Sequence, residues 1–173
     1  MERTRFADMR CSMARALELI GDWWTPLILR DLFLGVTRFD ALAQDLGLSR
    51  NLLTRRLKML EQTKIVERRA YQEKPPRYEY CLSEAGRDLV PVLIALTAWG
   101  DRWAQPVEGA PILFSHKRCG YVFQPRITCS ACNMPISAEN VSALPGPGGA
   151  ALPGTKIVAS LLGPMSPRRN ESE

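Results

Sequence analysis

Four side chains of types that bind soft divalent metals stand in two close pairs, His116 with Cys119 and Cys129 with Cys132. Each pair spans two intervening residues and nine residues separate the pairs, giving His-x2-Cys followed by Cys-x2-Cys, with 121–123 and 126–128 expected as the two strands that join them. This is the layout of a small Cys3His zinc ribbon, whose four ligands converge tetrahedrally from two turns on a structural ion. Gly120 and Asn133 follow the second ligand of each pair, and these residue types best tolerate the left-handed backbone such turns need. Free thiols on a loose extension are the competing expectation. A fifth cysteine, Cys11, precedes a helix start and has Arg10 beside it, two features that favour a reactive thiolate and hence oxidation sensing. Its plain alternative is a small apolar residue in a packed surface.

A different chemistry is offered by Asn51, Thr54, Arg55 and Lys58, preceded by Ser49 and Arg50. At helical spacing the first four share one face. Asn and Arg are the types that make bidentate hydrogen bonds to adenine and guanine edges. Arg38, Arg56, Lys74 and Arg77 are expected to touch phosphates or the minor groove, positioning the protein without reading bases.

These residues need elements to hold them. Phe39, Leu42, Ala43 and Leu46 recur at three- and four-residue spacing, one stripe of a short helix. Gly47 supplies a turn, Ser49 a cap, and Leu53, Leu57 and Leu60 the buried stripe of a second helix. Two helices joined this way, the second basic outside, describe a helix-turn-helix; an ordinary amphipathic hairpin shares the pattern. The segments 65–71 and 77–82 then read as a two-stranded hairpin around Gln72-Glu73-Lys74-Pro75-Pro76, a basic wing. Upstream, Met13, Leu17 and Ile20 mark a helix capped by Ser12. Thr25-Pro26 opens a core helix through Leu27, Ile28, Leu29, Leu32 and Phe33, with Thr25 as its expected cap. A long helix is expected from Ser83 to about Ala104, offset by Pro91. Leu89, Leu93, Leu96, Trp99 and Trp103 form a seam along it that suits a dimer interface, or else packs on the chain's own core.

The net charge of +5 suits a polyanionic partner, and its distribution says more. Residues 50–77 hold nine basic and three acidic side chains, a local +6 that exceeds the total. The first residues lack the apolar core of an export signal. The longest uncharged apolar run, Leu89 to Gly100, is too short to span a membrane. With an odd number of cysteines, a reducing, cytoplasmic setting is expected. An enzyme that merely docks on DNA is disfavoured, because His116 is the single histidine and no phosphate-cradling or catalytic motif is present.

From Cys11 to Trp103 the sequence resembles the HxlR-type family of bacterial winged helix-turn-helix transcriptional regulators. The resemblance is carried by the ordered set Ile20-Gly21-Asp22-Trp23-Trp24-Thr25, Leu27-Ile28-Leu29-Arg30-Asp31-Leu32, Arg38-Phe39-Asp40-Ala41-Leu42, Arg56-Leu57-Lys58-Met59-Leu60-Glu61, Val66-Glu67-Arg68-Arg69, Pro75-Pro76-Arg77-Tyr78-Glu79-Tyr80 and Trp99-Gly100. It implies a homodimer that binds operator double-stranded DNA, with terminal helices at the interface. It also implies that Cys11 matches an N-terminal cysteine that some members use to sense oxidants. Trp23 and Arg50 depart from the family's usual residues, and Arg50 bears on the DNA contact at the helix start. Longer members are similar past the linker, with a His- or Cys-containing pair before a glycine and a later Cys-x2-Cys.

The expected fold is mainly α with some β. A winged helix-turn-helix with a long C-terminal dimerisation helix carries a small zinc-ribbon-like β module. The expected organisation is an arm at 1–10, the winged domain at 11–104, a linker at 105–111, the metal module at 112–141, and a Pro/Gly-rich segment and tail at 142–173.

Overall fold

The structure, a computed structural model, describes residues 6, 8–104, 106–149 and 151–162. Much of the expected arm and the whole tail beyond Gly163 lie outside the described residues. The elements in order are α1 (Ser12–Ile20), α2 (Thr25–Phe33), α3 (Phe39–Asp45), α4 (Arg50–Gln62), β1 (Val66–Gln72), β2 (Arg77–Leu82), α5 (Glu84–Asp88), α6 (Val90–Trp103) and α7 (Lys156–Leu162). They divide between two units. One spans Asp22–Pro135, and the other gathers α1 with residues 136–149 and 151–162, including α7.

Within Asp22–Pro135 the core is built around α2, which packs against β2 and α6. Ile28 and Leu29 on α2, Leu42 on α3, and Leu53, Leu57 and Leu60 on α4 are almost wholly removed from water. Burying a side chain of this size contributes about 1.5–3 kcal/mol relative to leaving it exposed, so this cluster sets the angle between the helices. Gly47 turns α3 into α4 at φ +62°, a conformation that would strain a residue carrying Cβ. The Ser49 side chain accepts a hydrogen bond from the Leu52 amide at 3.4 Å, the expected cap of α4.

β1 and β2 pair antiparallel from Val66↔Leu82 to Gln72↔Arg77, with an irregularity between Ala70 and Gln72. A short third piece joins the hairpin: Arg38 bridges to Glu79, and the Tyr80 amide donates to the Thr37 carbonyl at 2.8 Å. At its base the hairpin meets α5 closely, since a Cβ on Gly86 would stand 2.3 Å from the Ile65 carbonyl oxygen. The winged helix-turn-helix fold, helix-rich with one small sheet, is therefore present. Among the described residues no helix is long and apolar enough to cross a membrane.

Several expectations are corrected. Ser12 does not cap α1; it is the first helical residue, and Cys11 occupies the cap position in extended backbone without a side-chain hydrogen bond. Thr25 does not cap α2. Asp22 does so, accepting from the Trp24 and Thr25 amides at 3.0 and 3.1 Å and from the Thr25 hydroxyl. A carboxylate accepts several donors at once, where the hydroxyl is itself a donor to it. The long helix from Ser83 to Ala104 is two helices. Ser83 caps α5 by accepting from the Gly86 amide at 3.1 Å, and the chain restarts at Val90 because Pro91 lacks the N–H needed to continue the ladder. Segments 121–123 and 126–128 do not pair as strands. Single bridges Ser115↔Val122 and Thr128↔Pro135 instead close each metal-binding pair into its own small hairpin.

Candidate nucleic-acid interface

α4 shows how one helix serves two surfaces. Its leucines at 53, 57 and 60 face the core, so Asn51, Thr54, Arg55 and Lys58 are exposed on the opposite side. Among the described residues, no ion pair or side-chain hydrogen bond holds these four. They are four donors and acceptors presented on a stiff rod, at the spacing that follows a groove.

The two other arginines of α4 have partners. Arg50 turns back to α3, where it pairs with Asp40 and stacks over Phe39 at 4.8 Å from the ring centroid. Arg56 departs further from its expected phosphate role. It lies on the inner shoulder of the helix, with its Nε 3.3 Å from Asp22 Oδ1 and side chains that are 24% and 9% exposed. Asp22 thus ties the start of α2 to the middle of α4. That link was missed in the sequence, although Asp22 preceding an apolar run was a readable cap signal.

The wing carries Lys74 and Arg77 near its tip, both exposed. Arg38 sits over the Tyr71 ring at 4.8 Å and Arg68 over the Tyr78 ring at 4.0 Å, so two cations are braced against aromatic faces. Between the start of α3 and the wing lies an open cleft of about 510 Å³, lined by Arg38, Phe39, Asp40, Tyr71, Arg77 and Tyr78. The expected contacts at Arg38 and Arg77 therefore border one cleft, and Lys74 is exposed near the wing tip. On α2, Asp31 is buried, with Arg30 on one carboxylate oxygen at 2.6 and 2.8 Å and no hydrogen-bond partner for the other among the described residues. Burial raises its pKa above the ordinary 3.8, opposed by the Arg30 guanidinium.

Along the expected seam, Leu89 and Leu93 are half-buried, whereas Leu96, Trp99 and Trp103 are 55%, 60% and 65% exposed. α6 packs on α2 with one side and leaves these residues to water. Cys11 is half-exposed, and none of the five cysteines is paired in a disulfide.

The four expected metal ligands fall in two matching turns. His116 Nδ1 and Cys119 Sγ are 3.4 Å apart, and the Gly120 amide donates to the His116 carbonyl at 2.7 Å. The Asn133 amide donates to the Cys129 carbonyl at 2.8 Å. Gly120 and Asn133 adopt left-handed φ of 76° and 57°. Amides of Ala131 and Cys132, then the Cys132 side chain, hold the Cys129 thiol below its usual pKa. Among the described residues, no three His, Cys, Asp or Glu side chains are gathered so as to hold a metal ion.

The profile of the HxlR-like helix-turn-helix family matches residues 19–108. The HTH-type transcriptional regulator Rv3095 of Mycobacterium tuberculosis is 47% identical over 137 residues, covering 79% of this chain and 87% of that one. Among solved structures, PA1607, described as a candidate transcription factor, is similar with a TM-score of 0.71 and 30% identity, over 81% of this chain and 98% of that one. The redox regulator HypR in its oxidised form is similar with a TM-score of 0.52 and 30% identity, over 56% of this chain and all of that one (100%). On the extent of these matches, and on the winged helix-turn-helix just described, the chain belongs to the HxlR-like helix-turn-helix family of transcriptional regulators.

Proposed function

We propose that this regulator binds operator DNA in a sequence-specific manner as a homodimer. α4 enters the major groove, and Arg38, Lys74 and Arg77 lie against the backbone. The observation that carries this reading is the face of α4. Asn51, Thr54, Arg55 and Lys58 are exposed and uncommitted among the described residues, behind a stripe of leucines buried almost completely. Ser49 and Arg50 stand at the helix start, where a nearby phosphate is received by the first-turn amides. The dimer is formed through α6, whose exposed Leu96, Trp99 and Trp103 are apolar surface of the kind that interface cores contain. Two copies of α4 then read half-sites about one helical turn apart.

A gel-shift titration with DNA from upstream of the chain's own gene, against random competitor, tests the reading. A two-fold related site bound about 10³-fold or more tighter than random DNA is the expected result. Equal affinity for both sequences overturns it.

A second reading concerns the signal. HypR is described as a redox regulator in reduced and oxidised forms, and this chain holds Cys11 half-exposed at the start of α1. In this reading oxidation at Cys11 releases the operator. If Cys11→Ser left oxidant-driven release unchanged, Cys11 would have no part in sensing.

A further inference from the structure

The segment 112–135 is ordered into two turns, yet none of its residues is buried. Tyr121, Val122, Ile127 and Met134 are each at least 60% exposed. It touches the winged helix at few places, among them Phe114, whose ring lies 6.3 Å from that of Phe33 on α2. A piece this small does not hold itself together by hydrophobic burial, and a structural metal is the usual substitute.

The turns are shaped for one. In each, a left-handed residue directly follows the second donor, Gly120 at φ 76° and Asn133 at φ 57°. In the first turn the donors are already spaced for a shared ion. Bonds of about 2.05 Å to nitrogen and 2.3 Å to sulfur at a tetrahedral angle place N and S about 3.6 Å apart. His116 Nδ1 and Cys119 Sγ stand at 3.4 Å. In the second turn the Asn133 amide donates to the Cys129 carbonyl at 2.8 Å, closing the same kind of turn around Cys129 and Cys132.

We propose that a thiophilic divalent cation, zinc, binds His116, Cys119, Cys129 and Cys132 of one chain and draws the second turn onto the first. The nine residues between Cys119 and Cys129 are the tether that lets the turns meet. Coordination takes the three thiols as thiolates, their protons passing to solvent, and His116 as neutral imidazole through Nδ1. Four protein donors close the site, so the ion is structural.

The test is metal content of the purified full-length chain, followed by cobalt substitution. About one zinc per chain is expected, with cobalt giving thiolate charge-transfer bands and the intense visible bands of a tetrahedral site. Cys129→Ser and Cys132→Ser should each lose most of the metal. His116→Ala should lose it too, and His116→Cys should keep it, since a fourth thiolate restores the donor set. Circular dichroism on each variant checks that the winged helix still folds. Less than about half a zinc per chain overturns the proposal. So does a weak, octahedral cobalt spectrum, or metal undiminished in the two Cys→Ser variants or in His116→Ala.

Discussion

Arg55 and Arg56 are adjacent and chemically identical, and the turn of the helix gives them opposite tasks. Arg55 points outward from α4 without a partner among the described residues, whereas Arg56 is tied to Asp22. Arg55→Ala should weaken specific binding by about 1–3 kcal/mol, relax one base position and lower the dimer's salt slope by about two, one per protomer. Arg56→Ala should leave the salt slope alone and lower fold stability by about 1–3 kcal/mol, because the largely buried Asp22 side chain loses its cation. Gel shifts over a salt series and urea denaturation separate the two; a salt-slope change in the Arg56 variant would contradict its placement. Asp31 allows a second prediction at this scale. Its folded pKa lies above the unfolded value near 3.8, so the folded state holds the proton more tightly. Its contribution is therefore most favourable below pH 3.8 and falls as pH rises from there through the folded pKa. Asp31→Asn should remove that decline, making urea midpoints flatter over this range. A slope identical to the parent chain would show that Asp31 titrates normally.

At the scale of elements, α6 carries the clearest prediction. A helix that leaves two tryptophans and a leucine in water on a chain of this size presents a surface that a second copy can cover. Trp99→Ala should weaken self-association by about 2 kcal/mol or more, and Leu96→Asp should give a monomer by light scattering with its fold intact. A parent chain that is already monomeric at micromolar concentration would remove α6 as an interface. The elements also show what was legible beforehand. α4 was readable because leucines at 53, 57 and 60 impose a helical period on a run whose other residues are polar. The left-handed turns at Gly120 and Asn133 were readable because few residue types accept that backbone. The bridge from Arg38 to Glu79 was not, since a single residue pair has no period. The cap at Asp22 was overshadowed by the stronger Thr-Pro signal three residues later. The break at Leu89 was half legible: Pro91 signalled an offset, but nothing in the spacing showed that α5 would end separately.

For the whole molecule, the decisive quantity is where the charge is usable. Subtracting the +6 of residues 50–77 from the total of +5 leaves −1 elsewhere, so any attraction to a polyanion acts through α4 and the wing. The structure reduces the free part further. Arg50, Arg56 and Arg69 are paired with Asp40, Asp22 and Glu67. Arg55 and Lys58 on α4 and Lys74 and Arg77 on the wing form no ion pair among the described residues. If all four meet phosphates or groove edges in each protomer, a dimer releases about eight counterions, and log K should fall with log salt at a slope of about −7. A monomer on a half-site should show about half of that. Lys74→Ala with Arg77→Ala should reduce the dimer's slope by about four units, at two per protomer. The loss should be the same on operator and on random DNA, because wing contacts to phosphate carry no sequence information. The comparison of the two DNAs makes the test sharp. Should the double variant change which site is preferred while leaving the salt slope intact, the wing would be reading bases, and the division of labour between α4 and the hairpin would have to be reversed.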